Sequence, residues 1–107
     1  MTREQVKGQL ELLVLAVLDG APRHGYAIIS AVRDRSDGDF DLPEGTVYPA
    51  LHRMEARGLV TSTWADVGGR RRRVYSLSAS GAAALVQRRA EWRSLATGVD
   101  AVLGWSA

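Results

Sequence analysis

The chain has 107 residues, 46% hydrophobic and 24% charged, with a net charge of +2 and no cysteine. This fits one small folded domain and excludes a disordered chain, a large enzyme with a separate cofactor domain, disulfides, thiolate zinc sites and thiol nucleophiles. Thirteen of the fourteen basic residues are arginine, and charge is segregated: residues 34–44 hold five acids and one base, residues 51–75 six bases and two acids.

Val6, Leu10, Leu13, Val14, Val17 and Leu18 share one helical face, which predicts a first helix over residues 4–18, stopped by Asp19-Gly20-Ala21-Pro22. Leu12 and Leu15 make it apolar on further sides, so part of it is expected to face a second subunit. The apolar run 12–18 is shorter than the roughly 18 residues of a bilayer span. Residues 1–7 lack the apolar stretch of a signal peptide. A cytoplasmic protein with no membrane partner is expected.

Ile28, Ile29 and Val32 mark a short second helix over residues 27–35, ending in the polar loop Ser36-Asp37-Gly38-Asp39. Leu42-Pro43-Glu44-Gly45 leads into a third helix whose buried stripe is Val47, Leu51 and Met54 and whose end is Gly58. Pro49 leaves two possibilities: an N-cap near Thr46 with Pro49 in the first turn, or a helix kinked at Pro49. The β-branched segment 59–64, the turn Val67-Gly68-Gly69-Arg70 and the alternating Arg73-Val74-Tyr75-Ser76-Leu77 predict a hairpin. Ser78-Ala79-Ser80-Gly81 can cap a last helix over residues 82–103. Leu85, Trp92 and Val99 are seven apart, Leu95 and Val102 fill a second seam, and Arg88 interrupts it. So short a coiled-coil stripe requires a partner helix.

Three helices, a hairpin with a basic tip and a long last helix predict a mainly α fold with a small β-hairpin. It reads as a winged helix-turn-helix over residues 1–77 plus a C-terminal dimerisation helix over 78–107, in one compact unit. The third helix can offer Thr46, Tyr48, Pro49, His52, Arg53 and Arg57 to a major groove. Arg70, Arg71, Arg72 and Arg73 can reach a phosphate backbone or minor groove, although strand alternation sends neighbours to opposite faces, so two of the four are expected to touch DNA. Lys7 joins this DNA-binding set. Without the winged-helix context, the arginine run reads equally as a solvated surface. Tyr26 reads as a core brace, Tyr48 as brace or DNA contact, and His24 as a cap or turn residue. Two distant histidines argue against a metal site, and no cofactor is expected. Neither phosphate-loop motif occurs, and Ser30, Ser62 and Ser76 lack histidine and carboxylate partners at recognisable spacing, so no enzyme is predicted.

The segments Leu10-Glu11-Leu12-Leu13-Val14-Leu15, His24-Gly25-Tyr26, the block from Glu44-Gly45-Thr46-Val47-Tyr48-Pro49-Ala50-Leu51-His52-Arg53 to Val60, Gly69-Arg70-Arg71-Arg72-Arg73-Val74-Tyr75, and Gly81 with Leu85 and Trp92 resemble the PadR family of bacterial transcriptional regulators. The resemblance covers about residues 8–103 and implies a homodimer built by the first and last helices. It also implies double-stranded DNA as partner, at a pseudo-palindromic operator with ATGT/ACAT-type half-sites, and repression released by a small-molecule effector. The single last helix is similar to the compact subfamily, some members of which bind flat aromatic drugs in a dimer channel beside a tryptophan. By that likeness Leu12, Leu15, Ala16, Arg88, Arg89 and Trp92 are candidate effector residues, and Leu85, Trp92, Leu95, Val99 and Val102 the dimer face. Arg89 stands where such a pocket has an apolar or aromatic wall, which favours an anionic ligand or none, and Trp92 fits plain dimer packing as well as stacking. The alternative function is a winged-helix interaction or ligand-sequestering module without sequence-specific DNA binding.

Overall fold

The computed structural model describes residues 3–105, with side chains from Gly8 onward. Elements run α1 (Arg3–Leu18), β1 (Arg23–His24), α2 (Gly25–Arg35), α3 (Glu44–Ala56), β2 (Val60–Val67), β3 (Arg70–Leu77) and α4 (Ala79–Leu103). The strands form one antiparallel sheet in the order β1-β3-β2. The core lies between the sheet and α1 to α3, with Val14, Leu15, Ile28, Val47, Leu51 and Met54 fully enclosed.

Local chemistry sets the boundaries. His24 caps α2, its Nδ1 accepting the Ala27 N–H at 3.4 Å, and with Arg23 it pairs with β3 as a two-residue strand too short for sequence periodicity to reveal. α1 has no base in its last turn; Arg23 and Arg35 serve its terminal carbonyls from outside, donating to Val17 at 2.8 Å and Ala16 at 3.2 Å. α3 begins at Glu44, which places Pro49 inside the helix and excludes an N-cap at Thr46. The early start follows from a hydrophobic staple, since Leu42 and Val47 sit just outside and just inside the first turn and both are buried. Glu44 suits the positive end of the helix. Pro49 withholds the hydrogen bond that Gly45 would receive, and Gly45 is exposed, so its carbonyl can be hydrated.

Gly58, at φ +76°, closes α3, and the Leu59 N–H reaches back to the Met54 carbonyl at 2.9 Å. Gly68 and Gly69 both have positive φ, as a two-residue hairpin turn requires, and this holds Val67 opposite Arg70. The strands are longer than predicted, so all four arginines lie on β3 itself and not at a loop tip. Ser78 caps α4 by accepting the Gly81 N–H at 3.0 Å. Gly81 must be glycine, because a Cβ there would overlap the Leu59 carbonyl oxygen. Beyond Leu85, α4 enters no core but stays beside α1 through Arg88, Arg89 and Trp92, and the molecule's longest extent is 51 Å.

Candidate functional site

Along α3 the buried stripe turns Val47, Ala50, Leu51 and Met54 inward. Pro49, His52 and Arg53 are consequently exposed, while Thr46 and Tyr48 are half-buried. Tyr48 lies over the start of α2, where a Cβ on Gly25 would stand 2.5 Å from its ring, so His24-Gly25-Tyr26 and Tyr48 form one packed junction. Tyr48 is therefore a brace with an accessible edge. Arg57 caps the end of α3 and gives both Glu11 carboxylate oxygens a hydrogen bond at 2.9 Å. The Lys7 side chain lies outside the described residues.

Strand alternation divides the four arginines. Arg72 stacks on Tyr26, 5.4 Å from the ring centre. Tyr26 is itself half-exposed rather than a core brace, and the Glu44 carboxylate raises its phenol pKa, first by hydrogen bonding and then by charge. Arg70 opposes that shift, so the pairs Arg70/Arg72 and Tyr26/Glu44 face one another beside the start of α3. On the other face Arg71 and Arg73 lie 5.7 and 5.5 Å from the ring centre of Trp64. Arg73 donates to Ser62 at 2.7 Å, Ser62 donates to Glu55 at 2.6 Å, and an Arg73 terminal nitrogen is 3.8 Å from Glu55. The hairpin is thereby fastened to the last turn of α3 through Glu55 and to α2 through Tyr26. Burial pushes the Tyr75 phenol pKa up beneath this network, and Glu55 adds to the shift.

A second feature lies between α1 and α4. A cleft of about 440 Å³ is lined by Leu12, Ala16, Arg89 and Trp92 together with Gln9, Leu13, Phe40 and Arg93. Leu15, expected in such a lining, is fully enclosed in the core. Arg88 turns instead to Glu11 at 3.3 Å, joining Arg57 on the same carboxylate, and borders a smaller neighbouring groove. Arg89 lies 3.6 Å from Asp19. Leu85, counted with the dimer stripe by its spacing, is 2% exposed and belongs to the protomer's own core. Trp92, Leu95, Val99 and Val102 are exposed, as are Leu103 and Trp105.

A family model for the transcriptional regulator PadR-like family matches residues 14–87. The chain belongs to the PadR-like family. PadR proteins are DNA-binding transcriptional regulators and not enzymes. Transcriptional regulator Rv3488 of Mycobacterium tuberculosis is 40% identical over 74 residues, 69% of this chain and 56% of that protein. Among solved structures, a PadR family transcriptional regulator from Eggerthella lenta DSM 2243 matches with a TM-score of 0.80 and 32% identity over 94% of this chain and 86% of that one. Another from Clostridium difficile R20291 matches with a TM-score of 0.77 and 32% identity over 89% of this chain and 98% of that one. This PadR chain thus has the winged helix with a long C-terminal helix. Among the described residues no helix is long and apolar enough to cross a membrane.

Several side chains of the PadR site escape sequence reading. Tyr26 and Trp64 carry the arginine stacks, but cross-strand and inter-helix neighbours are not encoded by spacing within one element. Phe40 sits in an acidic loop without periodicity, so nothing in the sequence signals that it closes one side of the cleft.

Proposed function

We propose that this PadR protein is a homodimeric, sequence-specific repressor acting in the bacterial cytoplasm. In this reading residues 1–77 bind DNA and residues 78–107 dimerise. The observation that carries it is the fastening of the basic hairpin to the last turn of α3 at Glu55 and to α2 at Tyr26, which gives groove-reading and backbone-gripping groups one frame. Pro49, His52 and Arg53, with Thr46 and the edge of Tyr48, face the major groove, and Lys7 with two of the four hairpin arginines the backbone or minor groove. A two-fold dimer sets two α3 helices about 34–36 Å apart, matching a pseudo-palindromic operator. The exposed stripe of Trp92, Leu95, Val99 and Val102 supports the dimer, with Leu85 anchoring α4 from behind. An effector fits the cleft at Leu12, Ala16, Arg89 and Trp92, where the two guanidinium groups of Arg89 and Arg93 suit an anionic molecule; release of repression follows if it favours one dimer arrangement over another.

The test is selection from random DNA duplexes at near-physiological salt. An enriched inverted repeat is expected. Arg53→Ala then changes preference at its base position by about 1–3 kcal/mol. Weak, flat binding across sequences overturns the reading in favour of an interaction module whose hairpin is a general electrostatic surface.

A further inference from the structure

The four hairpin arginines are chemically alike but differently held. Arg72 rests on Tyr26, and Arg73 is bound to Ser62 and, through it, Glu55. Arg71 stacks on Trp64, and among the described residues no carboxylate lies within 4.0 Å of it, although Asp66 is its cross-strand partner. Trp64 is 54% exposed on a solvated hairpin and encloses no core. What it does touch is the pair of cations at 5.7 and 5.5 Å. A continuous series of contacts therefore runs from Glu55 on α3 through Ser62 and Arg73 to Trp64, and ends at Arg71, which shares that indole with Arg73 but not its tie to Glu55.

The geometry points to Trp64 as the positioning residue of the wing: it holds Arg71 in a fixed relation to α3 so that this guanidinium meets a DNA phosphate, while Arg73 is a strut that reaches no phosphate. The inference rests on the DNA-binding reading above and deepens it. A long arginine chain loses rotamer freedom when it binds, and restraining it beforehand on an indole removes part of that cost. Trp64 carries no charge, so its contribution is separable from that of the cation it holds.

The experiment measures dissociation constants by fluorescence anisotropy across a salt series, using the duplex recovered by selection and a scrambled duplex of equal length. Arg71→Ala removes one phosphate contact from each protomer of the dimer and is expected to lower the magnitude of the salt slope by about 2 on both duplexes. Trp64→Ala is expected to weaken binding about three- to tenfold on both duplexes with the slope kept, and Trp64→Phe to recover most of that loss. Arg73→Ala is expected to weaken binding without lowering the slope. With Trp92→Phe and Trp105→Phe leaving Trp64 as the single indole, its emission is expected to change on Arg71→Ala in the free protein and on saturation with duplex. Wild-type affinity in Trp64→Ala, no recovery in Trp64→Phe, or a slope loss in Arg73→Ala equal to that in Arg71→Ala overturns the assignment while leaving the regulator intact. Selection that yields no preferred duplex overturns the regulator reading and this one with it.

Discussion

The body of the molecule and the outer half of α4 use the same residue types to opposite ends. Leu51, Val14 and Leu85 are at most 2% exposed, whereas Leu95 is 56% and Val102 89% exposed. In the body, four helices and a three-stranded sheet enclose one another's apolar faces, so the protomer accounts for its own sequence there. After Leu85 it does not. A helix with tryptophan, leucine and valine standing in water is costly alone and gains most from a second apolar surface. The difference separates residues that specify the winged helix from residues that specify what it assembles with, and it supports the second copy proposed above.

Substitutions at the two ends sharpen that contrast. Leu51→Ala leaves a cavity in the enclosed body and is expected to cost about 2–5 kcal/mol in urea unfolding. It lowers the midpoint at every protein concentration alike. Val99→Asp on the exposed stripe acts through association: the wild-type melting temperature is expected to rise with protein concentration, and the variant to lose that dependence. A concentration-independent wild type, or a Val99→Asp loss as large in dilute as in concentrated solution, breaks the comparison and returns the outer helix to the protomer.

The junction between α2 and α3 gives a smaller, more local test. Gly25→Ala brings a methyl against the Tyr48 ring and is expected to cost about 1–3 kcal/mol. Tyr48→Ala removes the obstacle, so the double variant is expected to be more stable than the sum of the single losses predicts, by about 0.5–3 kcal/mol of coupling. Strict additivity, measured by denaturation of all four proteins, contradicts the packed junction.

How legible the molecule is depends on the range of the interactions involved. The helices, the hairpin and its Gly68-Gly69 turn follow from periodicity and turn chemistry within a few residues, and the fold class from their order. β1 is too short for any period, and α3 starts two residues before Thr46 because Leu42 is buried, which only tertiary packing decides. Spacing alone puts Leu85 with Trp92 and Val99, but the core reaches only the first of the three, which is 2% exposed while the other two are 47% and 46% exposed. Exposed cations on α3 could be read from the stripe opposite them. The aromatic partners of the β3 arginines could not: Tyr26 comes from α2, and Trp64 meets Arg71 and Arg73 only through strand register.

The smallest expected effect lies at the cap of α2, inside the self-sufficient body. His24 is held below its ordinary pKa of 6.5, by partial burial first and by the Arg72 guanidinium second. Its neutral Nδ1 accepts the Ala27 N–H at 3.4 Å, and a protonated ring has no lone pair for that bond. Because the folded state takes up its proton at lower pH than the unfolded chain, the unfolded chain binds more protons just below 6.5. Stability from this residue is therefore constant above that value and falls as the solution is acidified through it. A cap of this kind contributes about 0.5–2 kcal/mol, and so long a bond belongs at the low end. His24→Asn retains a capping acceptor without a titrating group, so urea midpoints between about pH 5 and pH 8 should show a shallower acid loss in the variant than in the wild type. Identical acid limbs in the two proteins place the loss elsewhere and leave the His24 ring as packing alone.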